Sequence, residues 1–113
     1  MHEYSIVQAL LDRVDVEARS RQAVSVARVR LAIGRMAGVE SELLRSAFEI
    51  ARAGTCCAEA ELEVRDVEPR WSCRECGQEL AVGALLRCPA CGAAARLAAG
   101  DEIVLESLEL EVA

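Results

Sequence analysis

Cys73-Arg74-Glu75-Cys76-Gly77 and Cys88-Pro89-Ala90-Cys91-Gly92 are two copies of one chemical device, with eleven residues between Cys76 and Cys88. Each Cys-x-x-Cys turn places two sulfurs on one side of a knuckle, so two such turns facing each other supply a tetrahedron of thiolates for Zn²⁺. Because sulfur takes all four positions, the ion keeps no open site for water or substrate, and the zinc is read as structural. Gly77 and Gly92 each follow the second cysteine of a pair, where the turn needs a positive φ. An iron centre held by four cysteines shares this spacing. Disulfides require an oxidising compartment, which an opening Met1-His2-Glu3 without a signal peptide does not suggest. A thioredoxin-type redox pair requires a βαβ surrounding that these turns lack. The adjacent Cys56 and Cys57 are expected to pack as small apolar side chains and not to join the metal set.

The second reactive stretch is the beginning of the chain. His2 is the single histidine, and three nitrogens stand in line there: the α-amine of Met1, the backbone amide of His2 and the imidazole Nδ1 of His2. Together they close two fused chelate rings, and the amide of Glu3 completes a square. Planar nitrogen ligation suits Ni²⁺ or Cu²⁺ and suits Zn²⁺ poorly. The same residues also fit an ordinary terminus, with Glu3 placed favourably near the positive end of a helix.

These groups must be positioned by a short chain. From Tyr4 to about Ser20, Ile6, Val7, Leu10, Leu11 and Val14 recur at helical spacing. From Ala23 to Gly34 the period changes to two, with Ala27, Val29, Leu31 and Ile33 on one face and Arg28 and Arg30 on the other. Gly34 and Gly38 bracket a turn, and Val39, Leu43, Leu44, Ala47, Phe48 and Ala51 then mark a second helix that stops near Gly54. Ala60 to Val67 alternates as a second strand, and Glu68-Pro69-Arg70 leads into the cysteine module. Arg96 to Gly100 reads as a return turn and Glu102 to Val112 as a last strand. In that strand the apolar phase slips from odd positions (Ile103, Leu105) to even ones (Leu108, Leu110, Val112), which predicts a β-bulge near Glu106 or Ser107.

The fold expected is α+β: a three-stranded sheet covered by two helices on one face, with an inserted zinc-ribbon module. Residues 1–67 and 100–113 form one domain and residues 68–99 the zinc-binding ribbon. A chain of 113 residues leaves room for one small core beside the metal module. Thirteen basic residues, all arginine, face nineteen acidic ones for a net charge of −6, and aromatics are 3% of the chain. That balance opposes nucleic-acid binding. No apolar run approaches the ~20 residues of a membrane span, so a cytoplasmic protein is expected. Neither a nucleophile with a base nor a phosphate-cradling GxxxxGK[ST] is present, so catalysis is not expected. Exposed sheet edges permit a homodimer as well as a monomer.

Met1-His2-Glu3 opening a helix, the strand and the helix ending Ala47-Phe48-Glu49, a further strand, CxxCG, CPxCG and a Glu-rich final strand together resemble the HypA/HybF family of hydrogenase nickel-incorporation proteins. The resemblance covers essentially the whole chain. It implies a metallochaperone that delivers Ni(II) for maturation of [NiFe]-hydrogenase, working with a HypB-type GTPase and the hydrogenase large subunit precursor. By the same resemblance Met1, His2 and Glu3 bind the nickel cargo, and Cys73, Cys76, Cys88 and Cys91 hold structural Zn(II). Two other functions fit the residues: a zinc-ribbon protein-interaction or regulatory module, and a nickel donor to another nickel enzyme such as urease.

Overall fold

The structure, a computed structural model, describes residues 2–80 and 86–113, with His2 described only by its place in a helix. The elements run α1 (His2–Ser20), β1 (Ala23–Gly34), α2 (Ser41–Ala51), β2 (Glu61–Val67), β3 (Arg70–Cys73), β4 (Glu79–Leu80), β5 (Ala95–Ala99) and β6 (Ile103–Val112). They make two three-stranded sheets, ordered β2-β1-β6 and β4-β3-β5. The first pairs β1 with β2 in parallel, α2 lying between them in the chain, and β1 with β6 antiparallel. The second is antiparallel throughout.

Helical periodicity in α1 brings Val7, Leu10, Leu11, Val14 and Ala18 to one buried stripe, and α2 contributes Leu44, Ala47 and Phe48. Both stripes meet Val26, Val29, Leu31 and Ile33 of β1, which form one apolar cluster with them. The other face of the sheet is ionic. There Arg30 meets Glu63 at 3.1 Å and Glu109 at 2.6 Å, and Arg28 meets Glu61 at 3.3 Å. This division explains why a period of two is so clear in β1: one side packs on helices and the other carries its charges into water.

The bulge expected in the last strand is present. Arg30 pairs with Ser107 but Leu31 with Leu105, leaving Glu106 as the extra residue. It directs Glu106 to the open face, where Arg65 of β2 reaches across the small Ala32 to bond it at 2.7 Å. That bond holds the Glu106 carboxyl below its usual range. Two expectations change. A register shift between Val26 and Arg28 makes Ala27 the odd residue, so Val26 and not Ala27 enters the core beside Val29. Residues 95–99, expected to lie mostly in a return turn, form β5 against β3, and the chain turns only at Gly100, whose φ is +100°.

Cys57 is fully buried in the apolar cluster, with Cys56 at its margin, so the pair packs as expected. Burial, followed by the neighbouring Cys56, pushes the Cys57 thiol up from 9.0 to about 12. A thiol that ionises near pH 9 in the unfolded chain but near 12 in the folded one stabilises the fold below pH 9. That contribution is lost as pH climbs from 9 towards 12, with a slope of up to roughly 1.4 kcal/mol per pH unit. Urea unfolding between pH 8 and 11 should show this decline in the wild type and a shallower one in Cys57→Ala. Equal slopes would exclude Cys57 as the cause.

Candidate metal centre

Each cysteine knuckle is closed by the same pair of backbone bonds. Gly77 N–H donates to Cys73 O at 3.0 Å and Gly92 N–H to Cys88 O at 2.8 Å, while Cys73 N–H and Cys88 N–H donate to Gln78 O and Ala93 O. Gly77 and Gly92 take φ of +74° and +73°, the left-handed conformation their position in the turn requires. The first knuckle hangs between β3 and β4; the second lies next to the Arg87–Ala94 bridge and feeds β5.

This brings the four sulfurs of Cys73, Cys76, Cys88 and Cys91 within 4.8 Å of one another. Cys73 Sγ lies 3.4 Å from Cys91 Sγ, and Cys76 Sγ 3.7 Å from Cys88 Sγ. Both separations are far beyond the roughly 2.05 Å of a disulfide. They are close to the edge of about 3.8 Å that a tetrahedron of ~2.3 Å Zn–S bonds has. Cys73 and Cys88 are buried and Cys76 and Cys91 exposed, so the cluster closes on the protein side and can be loaded from solvent. The donor set, four soft thiolates without an oxygen or imidazole, fits structural zinc.

Backbone dipoles prepare the site electrostatically. The N–H of Cys76, against burial and with help from that of Glu75, brings the Cys73 thiol down to about 6. For Cys91 the Ala93 N–H acts in the same sense, but the bond to Cys73 and burial outweigh it and push the thiol up to about 12. One sulfur thus ionises easily while a neighbour keeps its proton, and a cation entering the cluster must displace protons.

At the other sequence-derived site the structure is informative for Glu3 alone: Met1 lies outside the described residues, as does the side chain of His2. Glu3 Oε2 accepts a bond from the Glu40 backbone N–H at 3.3 Å. Glu40 immediately precedes α2, and its side chain makes no capping bond there. The first turns of both helices are therefore side by side, and Glu3 lies in the first turn of α1 and Glu42 in that of α2. Sequence reading did not single out Glu40, because thirty-six residues separate it from Glu3 and only the packing of α1 on α2 joins them.

A small helix-covered sheet carrying a four-thiol knuckle pair defines the class: an α+β metal protein whose four-cysteine site fits a metal held for structure. Comparison with known proteins narrows this. The family model "Hydrogenase/urease nickel incorporation, metallochaperone, hypA" matches residues 1–110. The hydrogenase maturation factor HypA of Wolinella succinogenes is 41% identical, with 98% of this chain and 96% of that protein covered. The corresponding factor of Aquifex aeolicus is 40% identical, with 99% of each covered. The solution structure of the Ni metallochaperone HypA from Helicobacter pylori superposes with a TM-score of 0.77 at 30% identity over 98% of both chains. A second HypA solution structure gives 0.83 at 32% identity, covering 97% of this chain and 96% of that one. The chain belongs to the HypA family of nickel-incorporation metallochaperones for hydrogenase maturation. Among the described residues no helix is long and apolar enough to cross a membrane.

Proposed function

We propose that this protein binds Ni²⁺ through the Met1 amine, the His2 amide and imidazole and the Glu3 amide, and passes it to the large subunit precursor of [NiFe]-hydrogenase together with a HypB-type GTPase. Residues 1–67 and 100–113 carry the nickel and its docking surfaces. Residues 68–99 hold a structural zinc on Cys73, Cys76, Cys88 and Cys91. The protein is a cytoplasmic carrier and not a catalyst. The observation that carries this reading is the tethering of Glu3 to the start of α2. It supports the reading because it holds the one described member of the proposed set against the start of α2, whose first turn carries a further carboxylate, Glu42, and acidic groups attract a dication.

The test is a Ni²⁺ titration of untagged, zinc-loaded protein beside His2→Ala, followed by calorimetry and visible absorption. The wild type should bind one nickel with the d–d band of a square-planar complex. Loss of the imidazole and its chelate ring should weaken binding by about a hundredfold or more. Equal binding by both proteins would refute the N-terminal site. The matching family description names hydrogenase and urease together, so a nickel donor to a urease is the second reading. Nickel transfer to purified apo-urease in the absence of hydrogenase precursor would favour it.

A further inference from the structure

The two edges of the main sheet are treated differently by the rest of the molecule. At the β2 edge two arginines reach the backbone, Arg45 of α2 and Arg52 just after it: Arg45 Nη1 donates to Leu62 O at 3.2 Å and Arg52 donates to Ala60 O. Occupied carbonyls and charged residues such as Glu61, Glu63 and Arg65 make a poor template for another strand. At the β6 edge no cap of this kind is present among the described residues. β6 is long, ten residues from Ile103 to Val112, and it borders a groove of about 630 Å³ against α1. Leu108, Leu110 and Val112 give that groove an apolar floor, and Arg13, Glu17 and Arg21 rim it. Val112 is 63% exposed. The arginine stems extend the apolar surface while their heads stay in water.

We propose that the outer edge of β6, with the groove beside α1, takes up an extended segment of a partner protein as a fourth strand, its side chains alternating apolar and basic. Alternation follows from strand geometry, since successive side chains point to opposite faces. One set enters the groove against Leu108, Leu110 and Val112. The other set falls on the open face beside Glu111, where lysine or arginine is complementary, Glu109 being already paired with Arg28 and Arg30. Glu111 has no ion-pair partner among the described residues, and the whole chain carries −6. A second copy is the less suitable occupant, because β6–β6 pairing brings the unpaired Glu111 carboxylates of two chains onto one sheet edge and supplies no cation to them. This surface shares no residue with either metal site, so the proposal stands or falls independently of them.

The probe is the peptide acetyl-Lys-Val-Arg-Val-Lys-Val-Arg-Val-amide, added to the full-length, zinc-loaded protein and followed by amide hydrogen exchange. The expected result is exchange slowed about tenfold within residues 103–112 and unchanged at β2. An analogue N-methylated at its internal amides keeps every charge but cannot donate to a strand edge. It should bind at least about tenfold more weakly. Glu111→Lys, an exposed change that leaves the core alone, should weaken the unmethylated peptide several-fold at low salt. Equal binding by the methylated analogue would reduce the effect to charge adhesion and overturn the proposal. So would protection of β2 in place of β6, or a free protein already dimeric through a protected β6 that the peptide does not displace.

Discussion

Replacing Cys73 by Ser, or stripping zinc with a chelator, is expected to unfold the β4-β3-β5 sheet while β2-β1-β6 and its helices stay folded. The reason lies in how little else holds that sheet together. Among the described residues its buried apolar cluster is Cys73, Leu80 and Cys88, with Trp71, Ala93 and Ala95 partly buried around them. Two of these three are metal ligands, which leaves Leu80 as the one buried aliphatic side chain of the cluster among the described residues, worth about 1.5–3 kcal/mol of burial. Structural zinc in small modules supplies about 10–16 kcal/mol of apparent binding free energy, collected only by the folded form. Metal therefore decides whether the module exists. Trp71 is the single tryptophan and sits on β3, so its emission should shift to the red on metal loss, and amide protection in β3 and β5 should vanish. By contrast, the main cluster, which includes Phe48, Leu31, Ile33 and Leu44, contains none of the four ligands, and the urea midpoint reported by its amides should move little. Unchanged Trp71 emission after complete zinc removal would refute the dependence.

The difference between the two sheets also explains what could be read from residues alone. In the main sheet each strand has one face on apolar helices and one on water, so the pattern records both the strand and its faults. The slip from Leu105 to Leu108 revealed the Glu106 bulge because moving either residue to the open face would have exposed it. The earlier bulge at Ala27 left no such mark: Val26 and Ala27 are both small and apolar, and either could have been the buried one. The cysteine module obeys different physics. Its strands are two to five residues long, and metal and turn hydrogen bonds stabilise it in place of an apolar face. Ala95, Leu97, Ala98 and Ala99 therefore carry no informative period, and β5 reads as a turn. The thiol cluster itself was legible, because spacing and glycine placement are imposed by coordination. The approach of Glu40 to Glu3 was not, since no local pattern encodes which helix ends meet.

Gly34→Ala is expected to be the most damaging single substitution outside the cysteines, at about 3–5 kcal/mol. A Cβ at Gly34 would lie 2.1 Å from both the carbonyl carbon and oxygen of Gly100 and 2.7 Å from the amide nitrogen of Asp101. All three are backbone atoms, so no rotamer change relieves the clash. The backbone there cannot retreat cheaply either. Gly34 N–H donates to Glu102 O and Met36 N–H to Gly100 O, both at 2.8 Å, while Arg35 N–H reaches Val67 O at 2.9 Å. The end of β1 thus grips the strand that leaves for the cysteine module and the one that returns from it. Separating them by an ångström or more breaks bonds on both. Gly54→Ala is the control: its φ is +77°, but nothing lies within 4 Å of an added Cβ, so only the left-handed conformational penalty of about 1–2 kcal/mol applies. Urea unfolding with an unchanged m-value should rank Gly34→Ala well above Gly54→Ala. The crowded variant should also change amide shifts at Val67 and Gly100–Glu102, where the open one should not. Equal destabilisation by the two substitutions would mean that the chain yields freely at this crossing, and the grip of β1 on the cysteine module would have to be abandoned.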